Sequence, residues 1–116
     1  MGTLNFKKEK KYNIIKYSGE LTLDVVEELK EEISKFINEC DNEKSLVFDL
    51  SDISFMDSSG IGFLVHLNNV NKTKNKKLYL LNPSGAVKKT LSLVNLLNFF
   101  EIIEDESELD IEIENI

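Results

Sequence analysis

Short apolar runs alternate with longer amphipathic segments along this chain, and the clearest junction between the two lies near its middle. The run Ser45-Leu46-Val47-Phe48-Asp49-Leu50 is typical of a buried strand. After Asp57-Ser58-Ser59-Gly60, apolar residues recur at helical spacing at Ile61, Leu64, Val65 and Val70. Because strand-to-helix alternation requires right-handed crossovers, the pattern predicts an α/β fold with a mostly parallel sheet.

The remaining elements follow from the same periodicities. We expect an N-terminal hairpin, a break at Gly19-Glu20-Leu21-Thr22, and a first helix capped by Thr22 or by Asp24, which forms a capping-box pattern with Glu27. Its inner face comprises Leu29, Ile33, Phe36, Ile37 and Cys40. The later predicted elements are a helix over about 58–72, a strand at Leu78–Leu81, a helix from the cap Ser84 to about Val94, an edge strand at 99–103 and a short acidic C-terminal helix. The sequence therefore predicts one domain, 1–116, with about five strands, an antiparallel N-terminal hairpin strand and about four helices.

Composition narrows the classes of function. The 116 residues carry 14 lysines and 21 acids, for a net charge of −7, which argues against nucleic-acid binding. No apolar run approaches the roughly 20 residues that span a bilayer, and the first residues lack the apolar core of a signal peptide. We expect a cytoplasmic protein without membrane contact. Lysines cluster at 7–11 and 72–77, which we interpret as solvated turns, and residues 101–116 contain eight acids and no base.

Candidate catalytic and metal-binding groups are scarce. Cys40 and His66 are the single cysteine and histidine of the sequence, so no Cys/His metal cluster and no internal disulfide are expected. A serine nucleophile needs a nearby base. His66 lies seven and eight residues beyond Ser59 and Ser58 on the same predicted helix, roughly 10–12 Å away. We therefore predict no catalytic residue, no metal and no cofactor, and a hydrolase using Ser58 is a poor alternative.

The two serines of Asp57-Ser58-Ser59-Gly60 have two possible roles. Asp and Ser side chains cap helix N-termini, so the pair could be structural. A helix N-terminus also tolerates added negative charge, so either hydroxyl could accept a phosphate. Nearby apolar residues and glycines would then form a flat contact surface that a phosphate disrupts, and these are Phe55, Met56, Gly60 and Gly62. The residues alone leave Ser58 and Ser59 equivalent.

At the segment Leu46–Gly62 the chain resembles the STAS-domain anti-sigma factor antagonists of bacteria. Weaker matches are Ser18-Gly19-Glu20-Leu21 and Asn82-Pro83-Ser84 with Val87 and Leu91. The resemblance implies a partner switch. The unphosphorylated protein would bind an anti-sigma factor that is also a serine kinase, the kinase would phosphorylate Ser58 and end the complex, and a serine phosphatase would reverse this step.

The resemblance also implies where the partner binds. Asp57 would shape the turn, and Ser59 and Gly60 would fit the kinase cleft. The full predicted partner-binding set is Gly19, Glu20, Thr22, Phe55, Met56, Asp57, Ser59, Gly60, Ile61 and Gly62. The chain departs from the family at Thr22, where an acid is common, and at Asn95, where the helix usually ends in glycine. An alternative is a STAS scaffold that is never phosphorylated, in a signalling or lipid-transport complex.

Overall fold

The computed structural model describes residues 2–39 and 44–109. The strands are β1 (Thr3–Lys8), β2 (Tyr12–Leu21), β3 (Ser45–Asp49), β4 (Ile53–Met56), β5 (Leu78–Leu81) and β6 (Glu101–Ile103). The helices are α1 (Leu23–Glu39), α2 (Ser58–Thr73) and α3 (Gly85–Leu93), with a 3₁₀ helix at Leu97–Phe99. Residues 107–109 have helical backbone, and the rest of the predicted C-terminal helix lies outside the described residues, as does Cys40.

The six strands form one mixed sheet in the order β1-β2-β3-β5-β6, with β4 paired to β2. The β1–β2 hairpin is antiparallel and every other pairing is parallel. The predicted α/β class and the antiparallel hairpin strand are confirmed. The prediction of about five strands missed β4. This strand has four residues, and two exposed residues lie between buried Ile53 and Met56, so it lacks the regular alternation by which strands are recognised.

Strand β2 is longer than predicted and has two parallel partners. Its first half, Tyr12 to Lys16, pairs with β3, and its last three residues pair with β4. The register shifts between Gly19 and Glu20, and Gly19 has a φ of 140°, a conformation that L-residues rarely adopt. The segment predicted to break the strand is therefore a bulge within it, and β2 continues to Leu21.

The main core lies between the sheet and the three α-helices. Helix α1 contributes Val25, Val26, Leu29, Ile33 and Phe36, which largely confirms its predicted inner face. A smaller apolar cluster lies on the opposite face of the sheet, and it consists of Tyr12, Ile14, Val47, Tyr79, Leu81, Ile103 and Leu109. Both faces of the central strands are thus buried, which explains their nearly continuous apolar sequences.

Helix boundaries show which local predictions were correct. Helix α1 begins at Leu23, after Thr22, whose carbonyl accepts hydrogen bonds from the N–H groups of Val25 and Val26. Asp24 therefore lies inside the first turn, and the predicted capping box at Asp24 is wrong. The Ser84 hydroxyl accepts a hydrogen bond from the Val87 N–H at 3.3 Å and caps α3 as predicted. Asn95 follows α3 with a φ of 60°, the left-handed conformation that asparagine tolerates.

Candidate functional site

The turn between β4 and α2 is organised by Asp57. Its backbone is extended, and its Oδ1 accepts hydrogen bonds from the N–H groups of Ser59 at 2.9 Å and Gly60 at 3.2 Å. These bonds satisfy two of the free donors of the first helical turn, and the negative charge lies at the positive end of the helix. The cap of α2 is therefore Asp57, and an interpretation of Ser58 as the cap is wrong.

Ser58 is the first residue of α2 and its side chain is exposed, whereas Ser59 is half-buried. Within the described residues, the Ser58 hydroxyl makes no hydrogen bond to another group. The two hydroxyls that are equivalent in sequence thus differ in accessibility. A group added to the Ser58 oxygen would extend into solvent without replacing a contact that holds the turn.

The two glycines of this turn have different environments. A Cβ added to Gly60 would lie 2.5 Å from the Met56 Cγ and 2.7 Å from the Leu21 carbonyl oxygen. A Cβ added to Gly62 would meet nothing within 4 Å. The helix therefore approaches the neighbouring strands closely at Gly60 and not at Gly62.

The predicted flat contact surface is only partly present. The side chain of Phe55 is 51% exposed, but Met56 is 2% exposed and lies beneath Gly60. Gly60 itself is buried, and Ile61 packs against the main core. Met56 and Gly60 therefore shape the turn from below, because strand alternation points Met56 into the core while Phe55 points out.

The pairing of β2 with β4 brings the two predicted halves of the site together. Glu20 is in register with Phe55, and Leu21 with Met56. The Asp57 N–H donates to the Leu21 carbonyl at 3.3 Å, so the end of β2 adjoins the start of α2. Of the predicted partner-binding residues, Glu20, Phe55 and Gly62 are exposed, and a second group is half-buried: Gly19, Thr22, Asp57, Ser59 and Ile61.

Ionic contacts hold the turn before β4. Lys16 Nζ lies 3.1 Å from Asp52 Oδ2, and the Ser18 hydroxyl donates to the same oxygen at 3.4 Å. The hydrogen bond to Asp52, together with the charge of Asp49, raises the pKa of Lys16 above its ordinary value. Asp49 in turn accepts hydrogen bonds from the backbone N–H and hydroxyl of Ser51. Asp49 and Asp52 thus both act on Lys16, whereas the Asp57 carboxylate is bound to the first turn of α2.

Helix α3 and its cap Ser84 make contacts with β4 that the sequence did not predict. The Ser84 hydroxyl donates to the Ile53 carbonyl at 2.7 Å, and the Thr90 hydroxyl lies 3.5 Å from the Met56 carbonyl. These contacts align α3 along β4. Near the end of α3, Leu93 is 75% exposed and the following Val94 is 47% exposed. An exposed Leu-Val pair at a helix end cannot be recognised without the fold, because the sequence gives no sign that these apolar residues face solvent.

The other groups considered for chemistry lie apart from the turn or do not cluster. His66 lies on α2, as predicted, and is exposed. Among residues 2–39 and 44–109, no group of His, Cys, Asp and Glu side chains could hold a metal ion. No helix in the same part of the chain is long and apolar enough to cross a membrane.

Comparison with known proteins identifies the family of this chain. A sequence model of the STAS domain matches residues 4–109. The chain belongs to the STAS domain family. The anti-sigma-B factor antagonist of Staphylococcus aureus (strain NCTC 8325 / PS 47) is 27% identical to this STAS chain over 94 residues, which are 81% of this chain and 85% of that protein.

Solved structures show the same STAS fold. The crystal structure of TM1081 from Thermotoga maritima aligns with a TM-score of 0.85 and 24% identity, covering 96% of this chain and 94% of that one. The phosphorylated form of SpoIIAA, a Bacillus cell-fate determinant, aligns with a TM-score of 0.68 and 24% identity, covering 93% and 97%. Both matches establish the architecture of the sheet and helices around the Asp57–Gly60 turn.

Proposed function

We propose that this STAS domain is an anti-sigma factor antagonist whose partner binding is switched off by phosphorylation of Ser58. The observation that carries the proposal is the position of Ser58: exposed, first in α2, and next to an aspartate that already caps the helix. The fold therefore needs nothing from the Ser58 hydroxyl. The similar Staphylococcus protein carries the name anti-sigma-B factor antagonist, which supports the same class of partner.

The expected effect of the phosphate follows from its charge. A phosphoserine carries close to −2 charge near neutral pH. At Ser58 it would lie beside the Asp57 carboxylate and near the N-terminus of α2, whose dipole offsets part of the repulsion. A docked partner has no such compensation, because it must desolvate the phosphate against its own surface. Phosphorylation should therefore act on the complex rather than on the fold, and SpoIIAA shows that this fold carries a phosphate.

The partner would contact the surface around Ser58. Exposed Glu20, Phe55 and Gly62 surround the turn with half-buried Gly19, Thr22, Asp57, Ser59 and Ile61. Phe55 supplies the apolar contact that we first assigned jointly to Phe55 and Met56. We propose that the partner is an anti-sigma factor with serine kinase activity, that a serine phosphatase restores the free hydroxyl, and that the exchange takes place in the cytoplasm. The STAS domain itself acts as substrate and ligand, not as an enzyme.

The experiment is a labelling assay with a matched serine pair. The protein is used to co-purify its kinase from the native cytosol, and the recovered kinase is incubated with ATP and three chains: wild type, Ser58→Ala and Ser59→Ala. We expect stoichiometric phosphate on the wild type and on Ser59→Ala, and none on Ser58→Ala, which should still bind the kinase. Full labelling of Ser58→Ala would refute the site. Recovery of transporter subunits alone, with no ATP-binding kinase, would favour the unphosphorylated scaffold.

A further inference from the structure

Exposed apolar side chains concentrate on the elements that meet at the β4–α2 turn. Within residues 2–39 and 44–109, the large apolar side chains that are exposed are Phe6, Leu23, Phe55, Leu93, Val94 and Phe99. Four of these six flank the turn. Leu23 begins α1, Phe55 lies on β4, and Leu93 and Val94 stand at the end of α3. The partner surface proposed around Ser58 accounts for Phe55 alone.

Helix α3 follows β4 towards the turn. The Ser84 hydroxyl donates to the Ile53 carbonyl at 2.7 Å, and the Thr90 hydroxyl, six residues further on, lies 3.5 Å from the Met56 carbonyl. The helix therefore runs in the same direction as the strand. Leu93 lies one helical turn beyond Thr90 on the same side of α3, whereas β4 ends at Met56. The 75% exposure of Leu93 follows, since the strand alongside this face of α3 has already ended.

Leu23 approaches the same turn from β2. The Asp57 N–H donates to the Leu21 carbonyl at 3.3 Å, and Leu23 follows two residues later as the first residue of α1. Its side chain is 67% exposed. Strand β4, which carries Phe55, contacts both β2 and α3. Exposed apolar side chains thus accompany all three elements to the place where α2 begins.

The exposed rings away from the turn have a packing role that Phe55 lacks. Phe6 stacks on Phe36 with ring centroids 4.4 Å apart, and Phe99 meets Phe100 edge-on at 5.0 Å. Phe55 makes no such ring contact with any residue that the structure describes. Apolar side chains that cluster in solvent without a packing role are typical of a surface that another protein covers.

The size of a protein interface indicates that the surface around Ser58 extends further. Ser58 and the exposed or half-buried residues proposed around it number nine: Gly19, Glu20, Thr22, Phe55, Asp57, Ser58, Ser59, Ile61 and Gly62. A specific interface takes roughly 20–30 residues from each partner, and its centre is more apolar than its rim. The exposed apolar residues next to the turn are the extension that meets both requirements.

We propose that Leu23, Leu93 and Val94 belong to the partner-binding surface, and that the anti-sigma factor covers them with an apolar face of its own. This inference rests on the proposed function, because it takes the occupant to be the protein that binds at Ser58. Continuity with that surface selects this occupant. The three side chains serve binding and not phosphate transfer, since none of them belongs to the turn that presents the Ser58 hydroxyl.

The test is calorimetric titration of the cognate anti-sigma factor with the wild type, Leu23→Ala and the double variant Leu93→Ala/Val94→Ala. We expect the double variant to bind about tenfold more weakly or worse, and Leu23→Ala to lose about threefold, because each truncation removes apolar contact area. Phe99→Ala is the matched control and should bind within about twofold of the wild type. Phe99 lines a groove with Lys72 of α2, fourteen residues beyond Ser58 and roughly 21 Å along the helix.

A second variant separates apolar contact from folding. Leu93→Gln/Val94→Thr keeps side chains of similar size at these exposed positions and makes them polar. We expect it to bind as weakly as the alanine double variant, with a circular dichroism spectrum like that of the wild type. Full affinity in this variant would contradict an apolar contact. A loss of affinity in Phe99→Ala equal to that of the double variant would also overturn the proposal.

Phosphorylation kinetics distinguish this inference from the proposed function. With the cognate kinase and ATP, the alanine double variant should raise the KM for the STAS chain about tenfold and leave kcat unchanged. If the wild type is bound and labelled on Ser58 but the double variant has the same affinity and KM, this inference alone is wrong. If the wild type is neither bound nor labelled, the proposed function is wrong and the inference falls with it.

Discussion

At the scale of single residues, Asp57 and Ser58 divide between them two tasks that a helix N-terminus can perform. The Asp57 carboxylate accepts the backbone N–H groups of the first turn, and the Ser58 hydroxyl faces solvent. Had Ser58 been the cap, phosphorylation would have removed a contact that holds α2. The division allows a covalent change at Ser58 with little cost to the fold.

The first prediction concerns this division. Asp57→Ala should lower the free energy of unfolding by about 1 kcal/mol, the usual loss for an N-cap. Ser58→Ala should change it by less than about 0.5 kcal/mol, as for other exposed substitutions. Urea denaturation measures both values. A loss in Ser58→Ala as large as that in Asp57→Ala would mean that the hydroxyl has a structural role.

The two glycines of the turn give a second prediction at this scale. Gly60→Ala should destabilise the fold by about 1–3 kcal/mol, because its Cβ would overlap Met56 and the Leu21 carbonyl. Gly62→Ala should stabilise it by up to about 1 kcal/mol, because alanine favours the helix and the Cβ meets open space. Thermal and urea unfolding of the two variants provide the comparison. If both variants changed the free energy of unfolding in the same direction, the close approach would not be confined to Gly60.

At the scale of elements, β2 assembles the site by changing partner. Its first half pairs with β3, the bulge at Gly19 shifts the register, and its end pairs with β4. The Gly19 N–H also donates to the Asp52 carbonyl at 3.1 Å, which links the bulge to the turn before β4. Glu20 and Phe55 become neighbours only through this arrangement.

Gly19 provides the prediction for the elements. Gly19→Ala should cost about 1–3 kcal/mol of unfolding free energy, because its φ of 140° is unfavourable for an L-residue. The matched control is Gly85→Ala at the start of α3, where an added Cβ meets nothing within 4 Å. It should be neutral or mildly stabilising. Equal losses in the two variants would indicate that the bulge does not depend on the Gly19 conformation.

The elements also show what sequence reasoning could reach. Helix α2 and helix α3 with its Ser84 cap depend on local periodicity and local hydrogen bonds, so they were predicted. Strand β4 was not, because its four residues form a strand only by pairing with β2, a contact between distant segments. Likewise, the burial of Met56 and the exposure of Leu93 depend on how α3 and β4 pack in the fold, which cannot be predicted from the local sequence.

At the scale of the whole molecule, the surface around Ser58 lies at the start of α2, and a groove lined by Lys72, Phe99 and Glu101 lies at its end. The first surface combines the exposed Ser58 hydroxyl with the exposed ring of Phe55, and the second has the exposed ring of Phe99 among charged side chains of both signs. We expect Phe55→Ala to weaken binding of the cognate anti-sigma factor by about tenfold or more, as aromatic residues at interface centres do. Calorimetric titration measures the affinity, with Phe99→Ala as the matched control. An equal loss in both variants would contradict the assignment of the partner to the Ser58 end.

The central claim is that a phosphate on Ser58 acts on the complex and not on the fold. Its most direct test is a chain carrying phosphoserine at position 58, with unfolding free energy and affinity for the cognate anti-sigma factor measured on the same sample. We predict an unfolding free energy within about 1 kcal/mol of the unmodified chain and an affinity weaker by about tenfold or more. Unchanged affinity, or a fold destabilised enough to explain the lost binding, would contradict the claim.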